Sequence, residues 1–172
     1  MTVKKVLIVY DSGFGTTAEI AKLMAEQLRA QHFTVESQPA DKARAPDEDE
    51  AVIIGSAIRY DRWLPDARAY LDRHQEVLAK APVAYFYSCL TLAANTTSTE
   101  SEQVYDAKLL ALNPSVKPMM VGGFAGALRY GAMPWYFRLI FGLIARSKGL
   151  KGGDYRDWAA IKSWINQLAK KL

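Results

Sequence analysis

Five short apolar runs alternate with helical patterns along the chain, and this alternation restricts the fold more than any other feature. Each run is continuously apolar, which is typical of strands buried on both faces of a parallel sheet. Helical repeats of apolar residues separate the runs, so the sequence predicts a doubly wound α/β fold whose ligand lies beyond the carboxyl ends of the strands. The runs are Lys5–Tyr10, Phe33–Ser37, Ala51–Ser56, Val83–Ser88 and Pro118–Phe124.

Length, charge and cysteine content set broad limits. With 172 residues, a net charge of +4 and one cysteine, Cys89, the chain is expected to form one domain over residues 1–172 in a reducing compartment. It has no run of ~18 apolar residues to span a bilayer, and its first apolar run is too short for a secretory signal. Neither the spacing of a zinc site nor a basic and aromatic pattern typical of nucleic-acid binding occurs. We therefore expect no metal and no nucleic-acid partner.

The stretch VLIVYDSGFGTTAEIAKLM, residues 6–24, supports two interpretations. One is a dinucleotide-binding loop, because Gly13, Gly15 and Ala18 form the pattern G-x-G-x-x-A between a predicted strand and a predicted helix. Glu36 follows about twenty residues later, where an acidic side chain could bind a ribose hydroxyl.

The other interpretation is a loop for a terminal phosphate monoester. The hydroxyls of Ser12, Thr16 and Thr17 surround the same turn, and a helix starting near Thr16 would add its amino-terminal amides. This interpretation uses more of the residues than the dinucleotide one, so we favour it, with simple helix capping as a third possibility.

Two further loops follow the third and fourth predicted strands. Residues 55–66 carry Ile58, Tyr60 and Trp63, which could offer a flat apolar surface to a ring. Residues 87–100 are rich in small side chains that allow backbone amides to approach a ligand. Cys89 in this loop is expected to fill space rather than act as a nucleophile.

About thirty residues, 125–155, separate the last strand from the last predicted helix, where α/β connections usually take two to six. We interpret them as an insertion containing an apolar or amphipathic helix that begins near Pro134. Residues 133–151 combine aromatic side chains with basic ones, which is typical of helices at a membrane surface. Packing of this helix on the protein or in a dimer is the alternative.

The run IVYDSGFGTT, residues 8–17, resembles the flavodoxin phosphate loop position by position. The stretches VIIGSAIRYDRWLPDARAYL, AYFYSCLTLA and GGFAGALRYGAMPWYFRLI resemble the menaquinone-dependent protoporphyrinogen IX dehydrogenases, a flavodoxin-like family. This resemblance implies a five-stranded parallel sheet in the order 2-1-3-4-5 and FMN as cofactor. It also implies oxidation of protoporphyrinogen IX with menaquinone or ubiquinone as acceptor, by a cytoplasmic protein associated with the inner face of the membrane.

The resemblance also implies a set of site residues. Arg59 and Arg129, each in an Arg-Tyr pair, are candidates to stabilise the reduced flavin or to bind substrate propionates, with a solvated loop arginine as the alternative for both. Because they follow the third and fifth strands, we expect them to meet in one cleft. The candidate FMN contacts are Ser12, Gly13, Phe14, Gly15, Thr16, Thr17, Ala57, Ile58, Arg59, Tyr60, Ser88, Cys89, Leu90, Gly126, Leu128 and Tyr130.

Four other functions stay open at this stage: a flavodoxin-type electron carrier, another FMN-dependent quinone reductase, an NAD-binding domain, and a flavin-binding scaffold without turnover. Electron carriers of this type tend to be acidic around the flavin. This chain is basic, and residues 129–151 contain five basic side chains and no acidic one. The positive charge of the chain therefore favours an enzyme over an electron carrier.

Overall fold

The computed structural model describes residues 5–93, 98–129, 131, 133–147, 149 and 151–172. The main strands are β1 (Lys5–Asp11), β2 (Thr34–Pro39), β3 (Glu50–Arg59), β5 (Val83–Cys89) and β6 (Met120–Ala125). Short strands are β4 (Arg62–Trp63), β7 (Ala127–Leu128) and β8 (Gly153–Asp154). The helices are α1 (Thr16–Ala30), α2 (Pro65–Arg73), α3 (Gln75–Leu78), α4 (Ser98–Leu110), α5 (Trp135–Ser147) and α6 (Trp158–Ala169), with a 3₁₀ turn at Leu90–Ala93.

The main strands pair in parallel in the order β2-β1-β3-β5-β6, which confirms the predicted fold class and strand order. Apolar side chains cover both faces of the central strands. One core forms with α1 and α6, and the other with α2 and α4. The strand order reverses at β1, between β2 and β3, so the carboxyl ends of β1 and β3 flank the position where doubly wound folds bind ligands.

A tight hairpin joins β3 to β4, with Arg59 opposite Arg62. Both turn residues have positive φ, 50° at Tyr60 and 60° at Asp61, as a type I′ turn requires. Asn and Gly usually occupy such positions, because a larger side chain is strained in this conformation. The strained Tyr60 is 87% exposed, so packing does not explain why an aromatic residue stands here.

The two ends of the insertion meet in a small two-stranded sheet that is separate from the main one. Strands β7 and β8 pair in antiparallel orientation, with Ala127 opposite Asp154, and bring its two ends together. Helix α5 lies between them, and Pro134 directly precedes it as predicted. No helix in the described part of the chain is long and apolar enough to cross a membrane.

A buried arginine connects this return point to the rest of the fold. The Arg156 side chain, only 1% exposed, donates hydrogen bonds to Glu19 Oε2 at 2.7 Å and Asp154 Oδ2 at 2.5 Å. Its guanidinium also lies 4.2 Å from the centre of the Trp158 ring. Arg156 therefore links the first turns of α1 and α6 to strand β8.

The arginines of this cluster lower the pKa of both carboxyl groups. The hydrogen bond from Arg156 lowers the pKa of Asp154 to about 2, and that from Arg129 lowers the pKa of Glu19. A carboxyl whose pKa is lower in the folded state stabilises that state above its unfolded pKa of about 4, and this contribution disappears as the pH falls towards the folded value.

Replacement of Arg156 with Gln should lower the free energy of unfolding by roughly 1–3 kcal/mol, because it removes the three charge-assisted hydrogen bonds that Arg156 donates to Asp154 and Glu19. It should also reduce the fall in stability between about pH 4 and pH 2. Urea unfolding across this pH range measures both effects. Arg129→Gln is the matched control, since Arg129 shares the same carboxylates but is half exposed. An equal loss from both variants would contradict the assigned role of Arg156.

Tyr60→Gly should raise the free energy of unfolding by about 1 kcal/mol, because glycine removes the strain of the positive φ. Tyr60→Ala, which also loses the exposed ring but keeps the strain, should give no such gain. Thermal and urea unfolding of the two variants make the comparison. Equal stability of the glycine and alanine variants would show that the turn is not strained at Tyr60.

Candidate functional site

Three loops and the start of the insertion surround a cavity of about 90 Å³ at the carboxyl edge of the sheet, here called the loop cavity. The loop after β1, the end of β3, the end of β5 and the β6–β7 connection each contribute to it. Its lining consists of Ser12, Gly13, Phe14, Thr16, Thr17, Ala57, Ile58, Arg59, Ser88, Leu90, Gly126, Ala127, Leu128, Met133 and Phe141.

The loop after β1 has the features of an anion site. Gly15 has a φ of 88°, which turns the chain into α1, and its amide donates to Ser12 Oγ at 3.1 Å. Helix α1 begins at Thr16, as predicted, and no side chain in the described structure caps it. Its first amides are therefore available to an anion, and the Ser12 and Thr16 side chains lie beside them at the cavity.

Thr17 has a different environment from the one expected. Its side chain is fully buried, and its hydroxyl forms a hydrogen bond of 2.8 Å with the Ser88 hydroxyl at the end of β5. Both residues line the loop cavity, but each hydroxyl already has a partner. The pair therefore joins the first turn of α1 to the neighbouring strand, and Thr17 supports the loop in addition to facing the cavity.

Asp11, the last residue of β1, holds helix α2 close to this loop. Its carboxylate accepts hydrogen bonds from the amides of Asp66 and Ala67 in the first turn of α2, at 3.0 and 3.2 Å. Burial raises the pKa of Asp11, while the two amide donors act in the opposite direction. The sequence analysis did not predict this contact, although Asp11 directly follows the predicted strand Lys5–Tyr10.

The contacts of Glu36 do not support the dinucleotide interpretation. Its carboxylate accepts hydrogen bonds from Arg44 Nε at 3.0 Å and from Gln38 Nε2 at 3.2 Å, and it does not line the loop cavity. The loop therefore fits a single phosphate group better than a dinucleotide.

Arg59 occupies the end of the loop cavity where the flavin ring of FMN is expected, here called the ring end. Its guanidinium lies 5.3 Å from the centre of the Phe14 ring and 5.5 Å from that of Phe137. A Cβ at Gly13 would come within 2.5 Å of Arg59 Nη2, so a larger residue at this position would require the arginine side chain to shift. On the other side of Arg59 lies a second cavity of about 180 Å³, here called the middle cavity, which shares Ile58, Leu90 and Phe141 with the first.

These dimensions decide how FMN would fit. Pockets for molecules of this size usually measure ~300–1,000 Å³, so the loop cavity alone is too small for the ring. Arg59 lines both this cavity and the middle cavity. The loop cavity therefore suits the phosphate end of FMN, and the ring would extend towards the middle cavity and require Arg59 to move.

Most of the predicted contacts lie together, with exceptions. Tyr60 and Cys89 line the middle cavity rather than the loop cavity, and Cys89 is buried. Gly15 lines neither cavity. Tyr130 lies outside the described residues. The contribution of each residue to ligand binding stays a prediction.

Two side chains have a different position from the predicted one. Arg129 does not meet Arg59 in one cleft: it donates to Glu19 Oε1 at 2.5 Å and lies 3.6 Å from Asp154, so it belongs to the Arg156 cluster. Trp63, expected near the ring, is buried in the core and packs edge-on against Tyr85 at 5.1 Å.

Sequence reasoning missed the part that α5 takes in the site. Its side chains Phe137 and Phe141 pack edge-on against Phe14 of the β1–α1 loop, at 5.6 and 6.2 Å between ring centres. Met133 and Leu128 complete this cluster. The regular spacing of Phe137, Phe141 and Ala145 was a signal for a buried helix face, and this face covers the cavity.

The opposite face of α5 is exposed and apolar. Its side chains are between 48% and 72% exposed, although each is large and hydrophobic or aromatic. They are Trp135, Tyr136, Leu139, Ile140 and Leu143. Ile140 lies at the edge of this face, because it also lines the middle cavity with Phe137 and Phe141.

Known proteins provide an independent comparison. The chain is 26% identical over 172 residues to the protoporphyrinogen IX dehydrogenase [quinone] of Escherichia coli, covering 96% of this chain and 94% of that protein. It is 28% identical to the protein of the same name from Leishmania major, covering 96% and 74% respectively. The oxidised flavodoxin 2 of Bacillus cereus superposes with a TM-score of 0.58 at 19% identity, covering 98% of this chain and 99% of that one.

The family match covers most of the fold described above. The flavodoxin domain model Flavodoxin_5 matches residues 7–153, which include the loop after β1, the hairpin and the whole of α5. The chain therefore belongs to the Flavodoxin_5 family of flavodoxin domains.

Proposed function

We propose that this protein is an FMN-dependent oxidoreductase that removes hydrogen from protoporphyrinogen IX and passes it to a quinone, either menaquinone or ubiquinone. The observation that carries the proposal is the uncapped amino terminus of α1, which opens with Ser12 and Thr16 into a cavity beside the mostly apolar middle cavity. The names of the relatives from Escherichia coli and Leishmania major support the substrate and the acceptor.

Each part of the site has a role in this proposal. The Ser12 and Thr16 hydroxyls and the first amides of α1 hold the phosphate. Bound FMN supplies the redox chemistry, and Ile58, Leu90 and Phe141 exclude water around its ring. Arg59 brings a permanent positive charge to the ring end, which favours the acceptance of electrons.

Thr17→Ala should weaken FMN binding roughly tenfold, because it removes a hydroxyl from the cavity wall and leaves Ser88 without its partner at the start of α1. Glu36→Ala is the control and should leave the affinity unchanged, since Glu36 contacts Arg44 on another part of the surface. Titration of apoprotein with FMN, followed by flavin fluorescence, measures both. Failure of the parent to bind FMN would exclude the proposal.

Turnover separates an enzyme from an electron carrier. Anaerobic protoporphyrinogen IX should be oxidised by the FMN-loaded parent only when a menaquinone or ubiquinone analogue is present. The Soret absorbance of the product gives the rate. FMN binding without quinone-dependent turnover would indicate a flavodoxin-type carrier instead.

We further propose that residues 133–151 attach the protein to an anionic membrane surface on the cytoplasmic side, where quinones are found. The apolar face of α5 supports this, because large exposed apolar side chains favour an interface with acyl chains. Trp135 and Tyr136 stand at one end of the helix and Arg146 at the other, and Lys148 and Lys151 follow in the sequence. Such aromatic and basic residues are typical of the headgroup region.

The parent should sediment with vesicles that contain anionic lipid, and added salt should weaken this binding. Replacing Arg146, Lys148 and Lys151 with Gln should reduce the bound fraction several-fold, since each basic residue contributes about 1 kcal/mol near an anionic surface. Replacing Lys162, Lys170 and Lys171 with Gln removes the same charge on and after α6 and should have little effect. Equal loss in both triple variants would indicate general charge attraction, and a stable dimer without lipid would indicate that α5 is a subunit contact.

A further inference from the structure

A third cavity adjoins the middle cavity on the side away from the phosphate loop, and is here called the outer groove. It measures about 510 Å³ and lies between the β3–β4 hairpin and α4. The side chains of Ile58, Tyr60, Asp61 and Tyr105 line both the middle cavity and the outer groove. A ligand in the groove would therefore reach the ring end of the site directly.

The charges of the outer groove are unbalanced. Arg62, Arg68 and Lys108 line it, against a single acidic side chain, Asp61. That carboxylate is already engaged, because it accepts a hydrogen bond of 2.8 Å from the Tyr105 hydroxyl and lies 3.6 Å from Lys108. In the described structure neither Arg62 nor Arg68 has an acidic side chain within ion-pair distance.

Apolar surface lies between these charges. Ile58, Leu109 and Leu112 line the outer groove together with the ring of Tyr105. Arginines beside such a surface suit a ligand with an apolar body and carboxylate arms, since guanidinium groups bind carboxylates in a bidentate manner.

The strained turn gives a separate indication of function. Tyr60 retains an exposed aromatic ring in a conformation that favours glycine, and this ring stands at the boundary of the two cavities. Strain of this kind persists where a side chain has a use that stability does not explain. A flat ring at this position could stack on a flat ligand.

We propose that the outer groove binds the substrate, with Arg62 and Arg68 pairing with its propionate carboxylates and Tyr60 covering the face of the macrocycle. The inference rests on the proposed function for the identity of the ligand. It assigns carboxylate recognition to the hairpin and α2, and so replaces the substrate contact first expected of Arg129, which pairs with Glu19.

Protoporphyrin IX, the stable oxidised product, is the probe for this site. Its binding to the FMN-loaded protein, measured by quenching of porphyrin fluorescence, should weaken roughly tenfold in the double variant Arg62→Gln, Arg68→Gln, because two exposed ion pairs are lost. The double variant Lys162→Gln, Lys170→Gln removes the same charge from α6 and should bind as the parent does. FMN affinity should be equal in all three proteins.

The dimethyl ester of protoporphyrin IX distinguishes carboxylate pairing from apolar contact. It should bind the parent more weakly than the diacid, and the arginine double variant should bind diacid and ester alike. The inference is overturned if the parent fails to bind the diacid, if the variant binds it as tightly as the parent, or if the substitutions weaken the ester as much as the diacid.

Turnover then separates this inference from the proposed function. If porphyrin binding depends on Arg62 and Arg68 but protoporphyrinogen is not oxidised, the outer groove is a porphyrin site and the proposed reaction is excluded. If the reaction proceeds with the same KM in the arginine double variant and in the parent, the proposed reaction stands and the groove assignment fails.

Discussion

Burial of the central strands on both faces is the constraint on which the rest of the structure depends. Leu7 and Val9 of β1 face one helical layer, while Val6 and Ile8 face the other, and all four are buried. Charged side chains have no place on such a strand, because burial without a partner is costly. The polar chemistry of the protein is therefore confined to the strand ends, and the reversal of strand order at β1 opens a crevice at the carboxyl edge.

The insertion adds a cover to this crevice without disturbing the sheet. It can do so because β7 and β8 pair with each other and so hold the two ends of the insertion together beside α1. Arg156 fixes this closure through two carboxylates, one on the insertion and one on the helix that begins at the phosphate loop. Arg156 therefore connects the end of the insertion to the helix that begins at the phosphate loop, although the two are far apart in sequence.

The three cavities follow one another along the edge and change in character. The loop cavity presents amides and hydroxyls, the middle cavity is mostly apolar, and the outer groove is apolar with excess positive charge. In the proposed function, this order of the cavities would place a phosphate, a redox-active ring and a carboxylate-bearing substrate side by side. Arg59 lines both the loop cavity and the middle cavity, and the strained Tyr60 beside it lines both the middle cavity and the outer groove. One hairpin therefore borders all three cavities.

The sequence by itself indicated the five main strands and the loop between β1 and α1, but not the short strands β4, β7 and β8. Continuous apolar runs predicted the parallel strands, and the Gly-rich stretch before Thr16 predicted the start of α1, because these signals are local and depend on neighbouring residues. Only the tertiary structure decided which distant side chains meet. In that structure Thr17 pairs with Ser88, and Arg129 belongs to the Arg156 cluster. Trp63 is buried against Tyr85, and Arg59 lies between two phenylalanine rings. Each of these outcomes joins residues from different elements, and the free energy of such a contact depends on packing and charge that no short stretch of sequence contains.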